Sequence, residues 1–153
     1  MSSIRILIAD DFKDWRRQVR LMLQVRPEWY AIAEAADGSK AIQKAEELKP
    51  DLILLDIGLP KLNGLEVARR IRQLSPSSKI IFLSQNNDRD IVQAALSAGA
   101  LGYVHKTEAQ SELLSAVDVV LRGKQYVSGS LKGYEVTDAS SEGASSPRAP
   151  AVF

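Results

Sequence analysis

Apolar and polar positions alternate along this chain in a way that divides its first 127 residues into five strand-like and five helix-like segments. Ile4-Arg-Ile-Leu-Ile-Ala9 reads as a first strand, rich in β-branched residues. From Asp14 to Gln24, Trp15, Val19, Met22 and Leu23 recur at helical spacing while Arg16, Arg17 and Arg20 take other faces. Pro27 lies just past that helix, and Trp29 to Ala35 is a second, weaker strand. Asp37-Gly38-Ser39 supplies a turn and capping side chains for a second helix. Its stripe is Ala41, Ile42, Ala45 and Leu48, and Lys49-Pro50 stops it.

Leu52 to Leu55 is an unbroken apolar run, which suits a strand buried on both faces of a parallel sheet. Asp56 ends it, and Gly58 and Pro60 mark the turn that follows. After Asn63-Gly64, the residues Leu65, Val67, Ala68, Ile71 and Leu74 predict a third helix, ended near Ser75-Pro76. Lys79 to Leu83 is a fourth strand, with Ser84 at its end. Asn86, Asn87 and Asp88 offer caps for a fourth helix, Arg89 to Ala98, and Gly99 is its natural stop. Gly102-Tyr103-Val104 is a short fifth strand before His105 and Lys106. Thr107 and Gln110 fit a capping box for a fifth helix running through Leu113, Leu114, Val117, Val120 and Leu121 to Gly123.

Five β-α units with short connections imply an α/β fold, a parallel sheet with helices on both faces. The pattern ends at about Val127. Of the last 26 residues, 15 are Ser, Gly, Ala or Pro, and the apolar ones are sparse. The expected organisation is therefore a domain over 1–127 and a flexible tail or linker over 128–153, with at most a local contact between Tyr134 and Val136.

Composition narrows the class. The 153 residues are 45% hydrophobic, enough for one cored domain. Twenty basic and 19 acidic residues leave a net charge of +1, which gives no global sign of nucleic-acid or membrane binding. Cysteine is absent, so disulfides and thiolate metal sites are excluded. The N-terminus lacks a signal-peptide core, and no apolar run reaches membrane-spanning length. The expectation is a soluble, cytoplasmic protein.

In a parallel sheet all strands end on one side, where ligands collect in open α/β folds. The first strand delivers Asp10 and Asp11 there, the third Asp56, the fourth Ser84 and the fifth Lys106. Three crowded carboxylates repel one another in a partly dry site, and Lys106 supplies a single positive charge. A hard divalent cation bound through oxygen, Mg²⁺ or Mn²⁺, would supply the rest. Flanking cations would keep Asp56 ionised, as a nucleophile toward phosphorus rather than a proton-transfer group. Mg²⁺ and Lys106 would hold the equatorial oxygens of the transferring phosphoryl group.

Ile8-Ala-Asp10-Asp11, Leu54-Leu-Asp56-Ile-Gly-Leu-Pro60, Asn63-Gly64, Leu83-Ser84 and Gly102-Tyr103-Val104-His105-Lys106 together resemble the receiver domain of bacterial two-component response regulators. The resemblance covers Ile4 to Val127. Asp56-Ile-Gly-Leu-Pro-x-Leu-Asn-Gly-Leu-Glu66 and Ser97-Ala-Gly-Ala-Leu-Gly-Tyr103 are most similar to receivers attached to LuxR-like helix-turn-helix output domains. It implies a flavodoxin-like, doubly wound five-stranded sheet of order 2-1-3-4-5. It also implies a phosphorelay function, with Asp56 accepting phosphate from a sensor histidine kinase or a histidine phosphotransfer protein.

By the same resemblance, Asp11, Asp56 and the backbone carbonyl of Gly58 would bind Mg²⁺, with Asp10 acting mainly through metal-bound water. Lys106 would pair with a phosphoryl oxygen. Ser84 and Tyr103 would be the switch hydroxyl and the switch aromatic around the fourth helix and fifth strand. The first helix, with Arg16, Arg17 and Arg20, would be a partner-docking face if it is not simply solvated. The fourth and fifth helices would be dimer surfaces. Three features depart from the pattern: Gln85 stands where a small residue is usual, Thr107 stands where many receivers have Pro, and residues 1–153 are expected to hold no output domain.

Other classes compete. Aspartyl-nucleophile phosphohydrolases of the haloacid-dehalogenase type carry a second acid two residues after the nucleophile. Gly58 stands there and can do no proton chemistry. The protein is therefore expected not to be a turnover enzyme. A pseudo-receiver that never carries phosphate is opposed by the full acid, Lys and Ser set, although Gln85 keeps that reading open. A flavodoxin-like nucleotide binder would need a glycine-rich cradle after the first strand, and none is present. Neither a basic recognition helix nor a helix-turn-helix is visible.

Overall fold

The computed structural model describes residues 3–131. Its elements are β1 (Ile4–Ala9), α1 (Lys13–Leu23), β2 (Trp29–Ala35), α2 (Gly38–Leu48), β3 (Leu52–Leu55), α3 (Gly64–Leu74), β4 (Lys79–Ser84), α4 (Arg89–Ser97), β5 (Gly102–His105), α5 (Ala109–Leu121) and β6 (Tyr126–Val127). A 3₁₀ turn, Lys106–Glu108, precedes α5, and another, Gly129–Leu131, follows β6. All pairings are parallel, in the order β2-β1-β3-β4-β5-β6. The order expected for the first five strands holds, and a sixth strand is added.

The sheet separates two apolar layers. Leu7, Ile53, Leu55, Phe82 and Tyr103 face one way, against Ala41, Ala45, Val67, Ile71, Val92 and Ala95 of α2, α3 and α4. Ile6, Ile8, Leu54, Ile81, Leu83 and Val104 face the other way, against Val19 and Leu23 of α1 and Leu113, Val117 and Val120 of α5. Both faces of the central strands are thus covered, which is why β3 reads as an apolar run without alternation. Each large aliphatic side chain so buried contributes about 1.5–3 kcal/mol.

Two expectations need correction. The domain does not end at Val127. Ser128 is fully buried, Leu131 is 2% exposed, and the Ser128 N–H donates to the Tyr103 carbonyl at 2.9 Å. The Ser128 hydroxyl also accepts the His105 N–H at 2.8 Å, and the Gly129 N–H donates to Glu112 Oε2 at 3.2 Å. Residues 128–131 therefore clasp β5 and α5. The remainder of the expected tail, with Tyr134 and Val136, lies outside the described residues. Nor does Thr107 form a capping box with Gln110. His105 Nδ1 accepts the Thr107 N–H at 3.3 Å and bonds the Thr107 hydroxyl at 2.7 Å, while α5 begins without a side-chain cap.

Candidate phosphoacceptor site

The strand ends bring Asp10, Asp11, Asp56, Ser84 and Lys106 to one mouth. The ladder carries the first two connections beyond the strands themselves. The Asp10 N–H donates to the Ala35 carbonyl at 3.0 Å, and the Asp56 N–H to the Ala9 carbonyl at 3.0 Å. The loop after Asp56 is seated by α3. Asn63 caps that helix through the Glu66 N–H, and the Gly64 N–H donates to the Ile57 carbonyl at 2.7 Å. A Cβ at Gly64 would lie 2.3 Å from the Asp56 carbonyl oxygen, so only glycine permits this approach.

Asp10 is buried, and each of its carboxylate oxygens has a partner. One oxygen accepts the Phe12 N–H at 2.9 Å, and the other takes Lys106 Nζ at 2.6 Å. Lys106 stands 4.0 Å from Asp56 Oδ1. Asp11 is exposed at the rim. The three carboxylates offer oxygens within 4.8 Å of one another. Burial pushes the Asp56 carboxyl above its ordinary range. Lys106 and the Gly58 N–H oppose that rise, while Asp10 and Asp11 add to it. Without a divalent cation the balance is incomplete: Lys106 is committed to Asp10, and one ammonium does not offset three acids. Hard oxygen donors in excess of positive charge are the donor set a Mg²⁺-like cation requires, so these residues fit such an ion.

The opening in front of Asp56, about 360 Å³, is lined by Asp11, Phe12, Ile57, Ser84, Asn86 and Lys106 among others. Gln85 also lines it and is exposed. Ser84 is buried, and its hydroxyl accepts the Asn86 N–H at 3.0 Å. Tyr103 points inward and is fully buried, 6.2 Å from Phe82 between ring centroids, and its hydroxyl donates to the Asn86 carbonyl at 2.7 Å. Burial pushes the Tyr103 phenol up; the nearby Ser84 hydroxyl opposes this, and the charges of Asp56 and Asp88 reinforce it. Asn86 thus joins Ser84 to Tyr103, a link its place in a polar loop did not suggest.

The arginines are not equivalent. Arg16 Nε lies 2.7 Å and Arg20 Nη2 2.5 Å from Glu34 on β2, and Arg16 also donates to the Asp10 carbonyl at 2.7 Å. Of the three, Arg17 is the exposed one. Trp15, expected only as part of an apolar stripe, has its ring 5.2 Å from Lys106 Nζ. It stands in the first turn of α1, which begins just after the strand end that carries Asp10 and Asp11, and so stays beside the mouth.

Residues 6–118 match the family model of the response regulator receiver domain. The chain is 37% identical over 126 residues to the transcriptional regulatory protein DegU of Brevibacillus brevis, covering 82% of this chain and 53% of that protein. It is 36% identical over 126 residues to the nitrate/nitrite response regulator protein NarL of Escherichia coli (strain K12), covering 82% and 58%. The chain thus spans a little over half the length of these relatives. Among solved structures, a LuxR-family two-component response regulator from Aurantimonas sp. SI85-9A1 superposes with a TM-score of 0.82 at 32% identity, covering 87% of this chain and 95% of that one. The response regulator domain of Thermotoga maritima CheB gives 0.73 at 28% identity, covering 78% and 97%.

Proposed function

This chain belongs to the response regulator receiver family, and on that basis we propose that it accepts a phosphoryl group on Asp56 from a phosphohistidine of a sensor kinase or phosphotransfer protein. The observation that carries the reading is the mouth itself: Asp56 faces an open pocket, beside two more acids and one lysine. Asp10, Asp11, Asp56 and the Gly58 carbonyl would hold Mg²⁺ or Mn²⁺. When bound, that ion neutralises the excess acid charge and the charge of the transferring group.

The chain's own residues account for the rest. An Asp56 oxygen attacks phosphorus in line, the P–N bond breaks, and its electron pair leaves with the donor imidazole, which takes up a proton. Lys106 turns from Asp10 toward the phosphoryl oxygens. The Ser84 hydroxyl is close enough to the pocket to meet a third oxygen, releasing the Asn86 N–H. Because Asn86 also holds Tyr103, that release loosens the loop before α4. Gly58, which has no side chain to activate water, favours a lasting aspartyl phosphate over turnover. The acceptance of phosphate shifts a two-state packing around α4 and β5, the surface through which a dimer or a further domain reads the signal.

Titration with acetyl phosphate and Mg²⁺, followed by released phosphate, distinguishes signalling from hydrolysis. The expected result is uptake that stops near one phosphoryl group per chain with slow release. Sustained release from small phosphate esters would favour the hydrolase reading instead.

A further inference from the structure

The Lys106 ammonium meets two acids and one aromatic ring at the mouth. It donates to Asp10 at 2.6 Å, stands 4.0 Å from Asp56, and lies 5.2 Å from the centroid of the Trp15 ring. The lysine side chain is 9% exposed, so it is held largely out of water. A lysine head on a flexible four-carbon stem is a poor fixed point by itself. An indole face attracts a cation without directing it to one hydrogen-bond acceptor. It can therefore hold the ammonium while the acid partner changes. Trp15 is itself held by α1 and by the apolar layer containing Val19, Val104 and Leu113.

We propose that Trp15 is the positioning residue of Lys106, a cation-attracting wall along which the ammonium turns from Asp10 at rest to the phosphoryl group on Asp56. The proposal rests on Asp56 being a phosphate acceptor, but its resting half, the ammonium over the ring, does not. Two consequences follow. Removing the aromatic face slows phosphate uptake while the metal carboxylates stay intact. The emission of Trp15 also reports the position of Lys106.

The experiment uses the full chain with Trp29→Phe, which leaves Trp15 as the sole indole; Trp29 lies away from the mouth, beneath Arg26. Without any ligand, Lys106→Met should shift Trp15 emission, and Lys106→Arg should shift it less. An unchanged spectrum in both would overturn the resting contact, whatever Asp56 does. Adding Mg²⁺ with beryllofluoride, a phosphoryl mimic, should also change the emission, and the change should disappear in Asp56→Asn. Uptake from acetyl phosphate should fall about fivefold to tenfold in Trp15→Leu and return to within about twofold in Trp15→Phe. Equal slowing in both would reduce Trp15 to packing, and wild-type rates in both would remove it from the site. If Trp15→Leu does not fold, Trp15→Phe and the emission series still decide. Failure of the parent protein to take up phosphate, with the Lys106→Met shift intact, would sink the acceptor reading and leave the resting contact standing.

Discussion

Two regions of this protein draw acids out of water, and they balance them in opposite ways. On the α1–β2 flank, Glu34 meets two guanidinium groups, Arg16 and Arg20. At the mouth, Asp10 and Asp56 share one ammonium, with Asp11 close by at the exposed rim. Burial pushes both Glu34 and Asp56 upward, but the outcome differs. Arg16 and Arg20 carry Glu34 below its ordinary range, whereas Asp56 stays above its own. The flank is balanced by its own side chains. The mouth carries unbalanced charge that a cation and a phosphoryl group would use. The two are joined through Arg16, which also donates to the Asp10 carbonyl.

The largest expected effect tests the imbalance directly. At a hundredfold excess over its Kd, Mg²⁺ should stabilise the wild-type protein by about 2.7 kcal/mol, read as a rise in Tm. Asp11→Asn should remove most of that rise, and Glu34→Gln should leave it. Next in size, Glu34→Ala should cost about 2 kcal/mol in chemical denaturation, since it strands two arginines, one of them only 14% exposed. Phosphate uptake in that variant should be unchanged. Asp56→Asn has the opposite sign: without metal it should stabilise by less than about 1 kcal/mol, because it removes a carboxylate held above its ordinary pKa.

The smallest effect separates the two regions by pH. Glu34, held low, contributes stability that is present above its unfolded value of about 4.3 and lost as the pH falls through the folded value. Asp56, held high, is adverse at neutral pH, and its penalty is relieved as the pH falls through its raised value. In metal-free protein, Glu34→Gln should therefore flatten the acid limb of stability against pH, and Asp56→Asn should steepen it.

Most of the fold was legible because its long elements carry clear periodicities, and the mouth was legible because parallel strands end on one side. Asp10, Asp11, Asp56, Ser84 and Lys106 could be gathered from topology alone. What escaped was either too short or set by partners distant in sequence. Tyr126–Val127 is two residues long, below what any alternation can reveal, and its pairing to β5 carries Ser128 and Leu131 inward behind it. A chain ending at Leu131 should consequently be more stable than one ending at Val127. Thr107, expected to cap α5, lies instead inside the Lys106–Glu108 turn, where its N–H is taken by His105 Nδ1 from the strand end before it. The partnership of Arg16 and Arg20 with Glu34 needs the packing of α1 on β2, which spacing within α1 does not report.

Intact mass spectrometry after incubation with acetyl phosphate and Mg²⁺, on wild type and Asp56→Asn side by side, tests the central claim most directly. The account predicts a gain of one phosphoryl group in the wild type and none in the variant, with both folded by circular dichroism. An unchanged wild-type mass, or the same gain in Asp56→Asn, would contradict it.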